Sequence, residues 1–408
     1  MTHGGRRAVW PHDVLPVADR HRGALLFDGS MRKSFKIGIL YSMSGPYAAL
    51  GRECRDGAEF ALEQCSRVLP GLIEPVFVDP QGHLNDYVEG ARAILRDHGC
   101  RHIIGTITSA ARKEIIPVVE KYDGLLWYSL PYEGFEANAN VIYTGACPNQ
   151  HLIPLFEYLV PRFGKRPYLL GANYVWGWEM NRLARELITA SESEVSGECF
   201  LPLDEIHVER VIADIERVTP SFVLNNFIGP SSYAFLAAMR RLGERNPAFR
   251  PENCPVVSCD LTECELDELG DCDGEGQMSA ACYFDSLANE GNLAFKKIFA
   301  ERFGHTRRVS SIFAAAYASV KMCVEGMHSA GTDQPLAMRQ HLYATEASTV
   351  LGPIRIDPVT HHAALPFHLG RINGQRGFDI IASLPAAAAD PYLTGRRVHR
   401  RPQLRVVS

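Results

Sequence analysis

Most of the features that would place a chain of this length in a specialised class are missing. No run approaches 18 consecutive apolar residues, so no segment reads as a membrane-spanning helix. Positive charge is not in surplus either. The 42 Lys and Arg face 47 Asp and Glu, a formal charge of −5, which leaves no basic excess to neutralise a phosphate backbone or an anionic membrane surface. Direct nucleic-acid or membrane binding is therefore not expected. With 34 Gly and 25 Pro in 408 residues, collagen-like and low-complexity classes fall away. The patterns G-x-x-x-x-G-K-[ST], G-x-S-x-G, H-E-x-x-H and C-x-x-C are absent, and with them the commonest phosphate-cradle, serine-hydrolase, zinc-protease and redox chemistries.

No secretory signal is expected either. The longest apolar piece in the first 33 residues is residues 24–27, set among Pro11, Asp13, Pro16, Asp19, Arg20 and Arg22, whereas an export signal needs an apolar core of about 7 to 15 residues. The 11 cysteines show no framework spacing. Both observations predict a cytoplasmic protein with free thiols. Residues 1–33 are expected to be a disordered tail or sequence upstream of a true start at Met31, and residues 396–408 a second tail.

What is present is a regular alternation. Apolar runs of four to seven residues alternate with segments of helical period, the pattern of a parallel sheet covered by helices on both faces. A first set of strands is expected at 35–40, 74–78, 103–105 and 125–129, with helices at 47–65, 110–121 and around Tyr87 to Leu95. A second set has helices at 152–163, 181–190, 208–218 and 233–242, and strands at 168–172, 199–203, 222–225 and 256–259. Three further helices (290–303, 312–329, 335–343) and short strands at 354–356, 367–372 and 378–381 close the chain. The length supports two cores. The fold class is thus α/β, two doubly wound lobes with a ligand cleft beyond the carboxyl ends of the strands.

The strand-end segments carry the candidate site. They hold Ile107, Thr108 and Ser109, then Tyr128, Ser129 and Leu130, then Tyr174 and Trp176, then Phe227, and finally Asp260. Hydroxyls, aromatics and small residues dominate, which suits a small, weakly polar ligand. Ser109 precedes a helical segment as an expected N-cap whose hydroxyl and neighbouring amides can also hold a ligand oxygen. No nucleophile has an adjacent base, so an enzyme is not expected; His83 with Asp79 is the nearest polar pair, and the helix register after Gly82 gives it a structural role. Asp271, Asp273 and Glu275 imitate a calcium loop, yet its twelfth position is Cys282. Cys254, Cys259, Cys264, Cys272 and Cys282 match no zinc spacing and read as small buried hydrophobes. His361 and His362 read as solvated loop histidines. No metal or cofactor is expected.

Several runs resemble the type I periplasmic-binding-protein family in its amide and urea branch: Arg112-Lys113-Glu114-Ile115-Ile116-Pro117, Pro131-Tyr132-Glu133-Gly134-Phe135-Glu136, Pro148-Asn149-Gln150, Asp79-Pro80-Gln81-Gly82, Gly352-Pro353-Ile354 and Asp390-Pro391-Tyr392. The resemblance covers about residues 35–395. It implies two lobes joined by three crossovers, near residues 143–148, 283–284 and 351–352, giving 34–146 with 285–351 as one lobe and 147–284 with 352–395 as the other. It also implies a cytoplasmic sensor of a small amide-like ligand that regulates a partner, in relatives an RNA-binding antiterminator; a homo-oligomer is possible in such a family. The alternative it implies is the substrate-binding component of an ABC transporter for amides, urea or amino acids. Ile107 and Leu130 stand where the amide sensor has Tyr and Thr, and Trp176 where it has Tyr, so the cleft is expected to prefer an amide with a larger apolar substituent. Asp260 lies near the carboxylate with which amino-acid-binding relatives hold an ammonium, which keeps an amino acid or amine open.

Overall fold

The computed structural model describes residues 34–270 and 273–397; the expected first tail, the Met31 start and Cys272 lie outside this range, as does the expected second tail except for residues 396–397, which end a short helix, Thr394–Arg397. The first layer runs β1 (Phe35–Leu40), α1 (Ala48–Val68), β2 (Ile73–Val78), α2 (Leu84–Arg92), β3 (His102–Gly105), α3 (Ser109–Lys121), β4 (Leu125–Tyr128) and β5 (Val141–Tyr143). A π-helical turn, Ala93–Asp97, continues α2. These strands form a parallel sheet ordered β2-β1-β3-β4-β5. Every residue of β3, β4 and β5 is buried, so they read as unbroken apolar runs rather than as alternations.

The second layer contains α4 (Leu152–Phe163), β6 (Tyr168–Ala172), α5 (Val175–Ala190), β7 (Gly197–Leu201), α6 (Glu209–Val218), β8 (Val223–Asn226), α7 (Pro230–Arg245), β9 (Val256–Ser258), the short α8 (Glu263–Leu266) and β10 (Met278–Ala281). Then come α9 (Glu290–Phe303), α10 (Ser311–Ala330), α11 (Pro335–Ala344), a small hairpin of β11 (Ala347–Thr349) and β12 (Gly352–Ile354), and the long antiparallel pair β13 (Leu365–Ile372) and β14 (Phe378–Ala387). The second sheet is ordered β14-β13-β10-β9-β8-β6-β7, parallel except for β13 and β14. Between β10 and β13 the chain returns to the first layer. There Phe60 of α1 meets Phe295, Phe299 and Phe303 of α9 and Phe313 and Tyr317 of α10, ring centroids 5.5 to 6.3 Å apart.

The structure differs from the sequence reading in several places. Helix α5 begins at Val175, six residues before its expected start, because Gly177 is a packing residue rather than a loop marker. A Cβ there would lie 2.1 Å from the Ala172 carbonyl oxygen at the end of β6. Strand β14 extends to Ala387 through irregularities in its pairing with β13. His362 is not solvated. It is 1% exposed, stacked on Tyr143 with centroids 4.1 Å apart, and hydrogen-bonded to the Tyr132 hydroxyl; His361 contacts the Tyr343 hydroxyl at 2.7 Å. Cys254, Cys259, Cys264 and Cys282 are free thiols within the protein, and no group of three metal-ligating side chains occurs among the described residues.

Candidate ligand-binding site

The two sheets face each other across a cleft whose mouth is shut. Gly229, at φ +59° before α7, approaches Pro46 of the β1–α1 loop so closely that a Cβ would sit 2.1 Å from the Pro46 carbonyl oxygen. Arg308 pairs with Asp267 at 2.5 Å, Arg52 with Glu268 at 3.8 Å, and the Ser311 amide donates to Thr262 Oγ1 at 3.2 Å. Beneath these contacts is a small cavity of about 40 Å³. Ile107, Thr108, Ser109, Tyr128, Leu130, Tyr174, Trp176 and Asp260 line it, together with Tyr47, Leu50, Pro131, Ile228 and Ile312.

Eight of the ten residues singled out by sequence thus meet at one cavity. Ser129 instead lines a neighbouring cavity, its hydroxyl 3.3 Å from that of Tyr41. Phe227 points into the second core, edge-on to Phe235 at 6.0 Å; one residue further along, Ile228 takes the cleft position. Tyr47, Leu50 and Ile312 escaped sequence reasoning because they belong to the starts of helices, where an apolar residue reads as core.

The first-layer wall is built on α3. Thr108, not Ser109, is the N-cap: its Oγ1 accepts from the Ala111 amide at 3.1 Å. The amides of Ser109 and Ala110 have no intrahelical partner by their position, and they lie at the positive end of the helix dipole. The Ser109 hydroxyl donates to Glu133 Oε2 at 2.5 Å and accepts from Arg112 Nη1 at 3.2 Å. Arg112 is wholly buried. It donates to Glu133 Oε1 and Glu136 Oε1, each at 2.9 Å, and lies 4.6 Å from the ring centres of both Tyr128 and Tyr132. Burial is the largest single influence on Glu133 and Glu136 and opposes their ionisation, but the Arg112 guanidinium, Lys113 and the hydrogen bonds from Ser109 and Tyr143 together outweigh it and hold both carboxyls below their ordinary values. The paired Arg112 and Pro-Tyr-Glu-Gly-Phe-Glu segments are therefore one ion-pair unit that fixes the β4 loop to α3.

The opposite wall is charged differently. Asp260 follows β9 and accepts from the Ser258 hydroxyl. Among the described residues no basic side chain pairs with it, and no Lys or Arg lines the cavity. Burial raises its carboxyl to about 7, only partly offset by the Ser258 hydrogen bond. Trp176, 3% exposed, stands in the first turn of α5 with its Nε1–H unpartnered, whereas exposed Trp178 donates to Asn173 Oδ1 at 3.0 Å. The cavity thus offers at one end the first turn of α3, whose amides lack intrahelical partners, at another a carboxyl without a basic partner among the described residues, and apolar and aromatic walls between. That arrangement suits non-covalent capture.

Comparison with known proteins agrees with this architecture. The model of the family described as periplasmic binding protein domain matches residues 35–397. An amino acid ABC transporter substrate-binding protein from Pseudomonas fluorescens Pf-5 superposes with TM-score 0.75, at 20% identity, over 89% of this chain and 98% of that one. A solute-binding protein of an ABC transporter from Rhodopseudomonas palustris HaA2, in complex with p-hydroxybenzoic acid, gives TM-score 0.79 at 16% identity over 89% and 100%. A short sequence match, 29% identical over 121 residues, is to limonene hydroxylase of Geobacillus stearothermophilus; it spans 29% of this chain and only 22% of that protein. With the fold, the cleft and a family match over nearly all the described residues, the chain belongs to the periplasmic binding protein domain family.

Proposed function

We propose that this protein captures a small zwitterionic ligand, an α-amino acid or a close analogue, in the cleft between its lobes. It would do so as the substrate-binding component of an uptake system. The observation that carries the reading is Asp260, a cleft carboxyl with no basic partner among the described residues, sharing its cavity with the first turn of α3, whose amides lack intrahelical partners. An ammonium against Asp260 and a carboxylate against those amides satisfy both walls at once, and a ligand touching both favours the closed form. Structural neighbours described as substrate-binding proteins of an amino acid transporter and of a branched-chain amino acid transporter support it. The amide-sensor reading with an antiterminator partner draws no support from the cleft, where Ile107 and Leu130 supply hydrocarbon instead of hydroxyls. We take the lobes to be 34–146 with 285–351 and 147–284 with 352–395, hinged where the chain passes between the sheets.

The test is a thermal-shift screen of proteinogenic amino acids, benzoate, 4-hydroxybenzoate, acetamide and urea. A ligand at 100 times its dissociation constant stabilises by about 2.7 kcal/mol. Amino acids alone raising the melting temperature support the reading, and a shift with benzoate or acetamide alone refutes it. Location is tested by fusing residues 1–60 to a reporter active only after export; export fits uptake, and retention in the cytoplasm turns the role toward intracellular sensing.

A further inference from the structure

A second, smaller cavity of about 20 Å³ adjoins the cleft and shares Pro131, Asp260 and Ile312 with it. Its walls are mostly small: Ala146, Ala280, Ala281, Ala315, Cys259 and Cys282. His151 lines it, 1% exposed, at the residue before α4. The His151 Nε2 lies 3.1 Å from the Tyr132 carbonyl oxygen, an atom that can only accept. Nε2 must therefore carry the ring proton, and neutral Nδ1 is left as a bare acceptor. That Nδ1 is buried and has no hydrogen-bond partner among the described residues. The Trp176 ring, with its centroid 6.3 Å from that of His151, contributes a buried, unpartnered Nε1–H on the cleft side. The orphan acceptor thus belongs to a residue that lines the second cavity and the orphan donor to one that lines the first, and the two cavities share Asp260. Buried polar atoms are rarely left unpaired, and here two neighbouring ones are.

We propose that this junction is the specificity site for the ligand's side chain, with His151 Nδ1 accepting from and Trp176 Nε1–H donating to a neutral group that can do both, a hydroxyl or a primary carboxamide. The proposal rests on the amino-acid reading above, with the ammonium at Asp260 directing the side chain toward the second cavity. Apolar groups of the same shape would leave both orphans unpaired. A site that hydrogen-bonds a substrate group rejects the analogue lacking it far more strongly than an apolar pocket rejects a hydroxyl.

The experiment is calorimetry on the full chain with isosteric pairs: serine against 2-aminobutyrate, threonine against valine, homoserine against norvaline, and asparagine against leucine. The polar member of at least one pair is expected to bind at least tenfold more tightly. In His151→Phe and in Trp176→Phe that preference should fall to within about threefold. Because His151→Phe can fail to fold, nitrogen NMR of the wild-type histidines supplies a reading without substitution. The His151 Nδ1 resonance should move upfield when the preferred polar ligand is added and stay in place with its apolar isostere. Amino acids that bind with no polar preference in any pair, or with an unmoved Nδ1 resonance, overturn the specificity site and leave the amino-acid reading intact. If none of the eight binds, the amino-acid reading falls and this proposal with it.

Discussion

Binding of an amino acid near neutral pH is expected to drive a proton off Asp260, and the direction of that exchange reports the charge of whatever ligand the cleft takes. In the free protein the carboxyl titrates at about 7, because burial disfavours its anion and the Ser258 hydroxyl only partly compensates. At pH 7 roughly half of the molecules therefore hold a proton there. An ammonium placed against the carboxylate returns it to the ordinary carboxylate range, so up to about 0.5 proton leaves per ligand bound; an anion such as benzoate would instead draw up to about 0.5 proton in, and a neutral amide would exchange little. Calorimetry at pH 7 in buffers of different ionisation enthalpy measures both sign and size, and Asp260→Asn should abolish the exchange. The same group sets a stability dependence in the unliganded protein. Its folded value lies above the ordinary 3.8, so the folded state keeps a proton that the unfolded chain has lost, and stability falls as pH rises from about 4 to 7. Between pH 5 and pH 8 the wild type should lose about 2–3 kcal/mol more than Asp260→Asn in urea denaturation. Identical pH profiles for the two proteins, together with no proton exchange on binding, would refute the assignment of Asp260 as an unpaired cleft carboxyl.

Three other outcomes are expected. Arg112→Met leaves Glu133 and Glu136 buried without their guanidinium, and urea denaturation should show a loss of about 3–5 kcal/mol; a loss under 1 kcal/mol would show that the pair is not buried as described. Ser109→Ala should cost about 1–3 kcal/mol of stability, because Glu133 Oε2 loses its hydroxyl donor, and the melting curve decides whether the residue acts through Glu133 or only on the ligand. Gly229→Ala introduces a methyl against the Pro46 carbonyl at a positive φ; small-angle scattering with saturating ligand should show a more open particle, and ligand affinity should fall by about tenfold, or about 1.4 kcal/mol. An unchanged scattering profile and affinity would mean that the mouth closes elsewhere.

The alternation of strands and helices was legible because strands buried on both faces, such as Leu125–Tyr128, present apolar runs that no surface element imitates. The cleft was legible for a related reason: Ile107, Tyr128, Tyr174 and Asp260 all stand at or just beyond strand ends, where topology delivers ligand sites. Phe227 failed by one residue. In extended backbone a shift of one reverses the face, and a local pattern of large side chains does not say which of Phe227 and Ile228 looks inward. The three-residue strands β5 and β11 went unread, although β9, just as short, was expected. The roles of Ser109 and Arg112 depend on Glu133 and Glu136, more than 20 positions away, and His151 on a carbonyl 19 positions before it. Such partnerships are set by the packing of loops and leave no spacing signature.

The return of the chain to its first layer also has a temporal and an evolutionary side. Helix α10, which packs on α1 and shares the Phe60 cluster, is made only after all five parallel strands of the second sheet have left the ribosome. Contacts between residues so far apart in sequence form late, so the aromatic face of α1 stays uncovered through most of synthesis, a window in which a chaperone or a misassembled neighbour can reach it. For the same reason no single crossover between two homologous genes can trade one layer for another. A change of ligand in this lineage must come residue by residue at the cleft, or through several coordinated exchanges at the points where the chain passes from sheet to sheet.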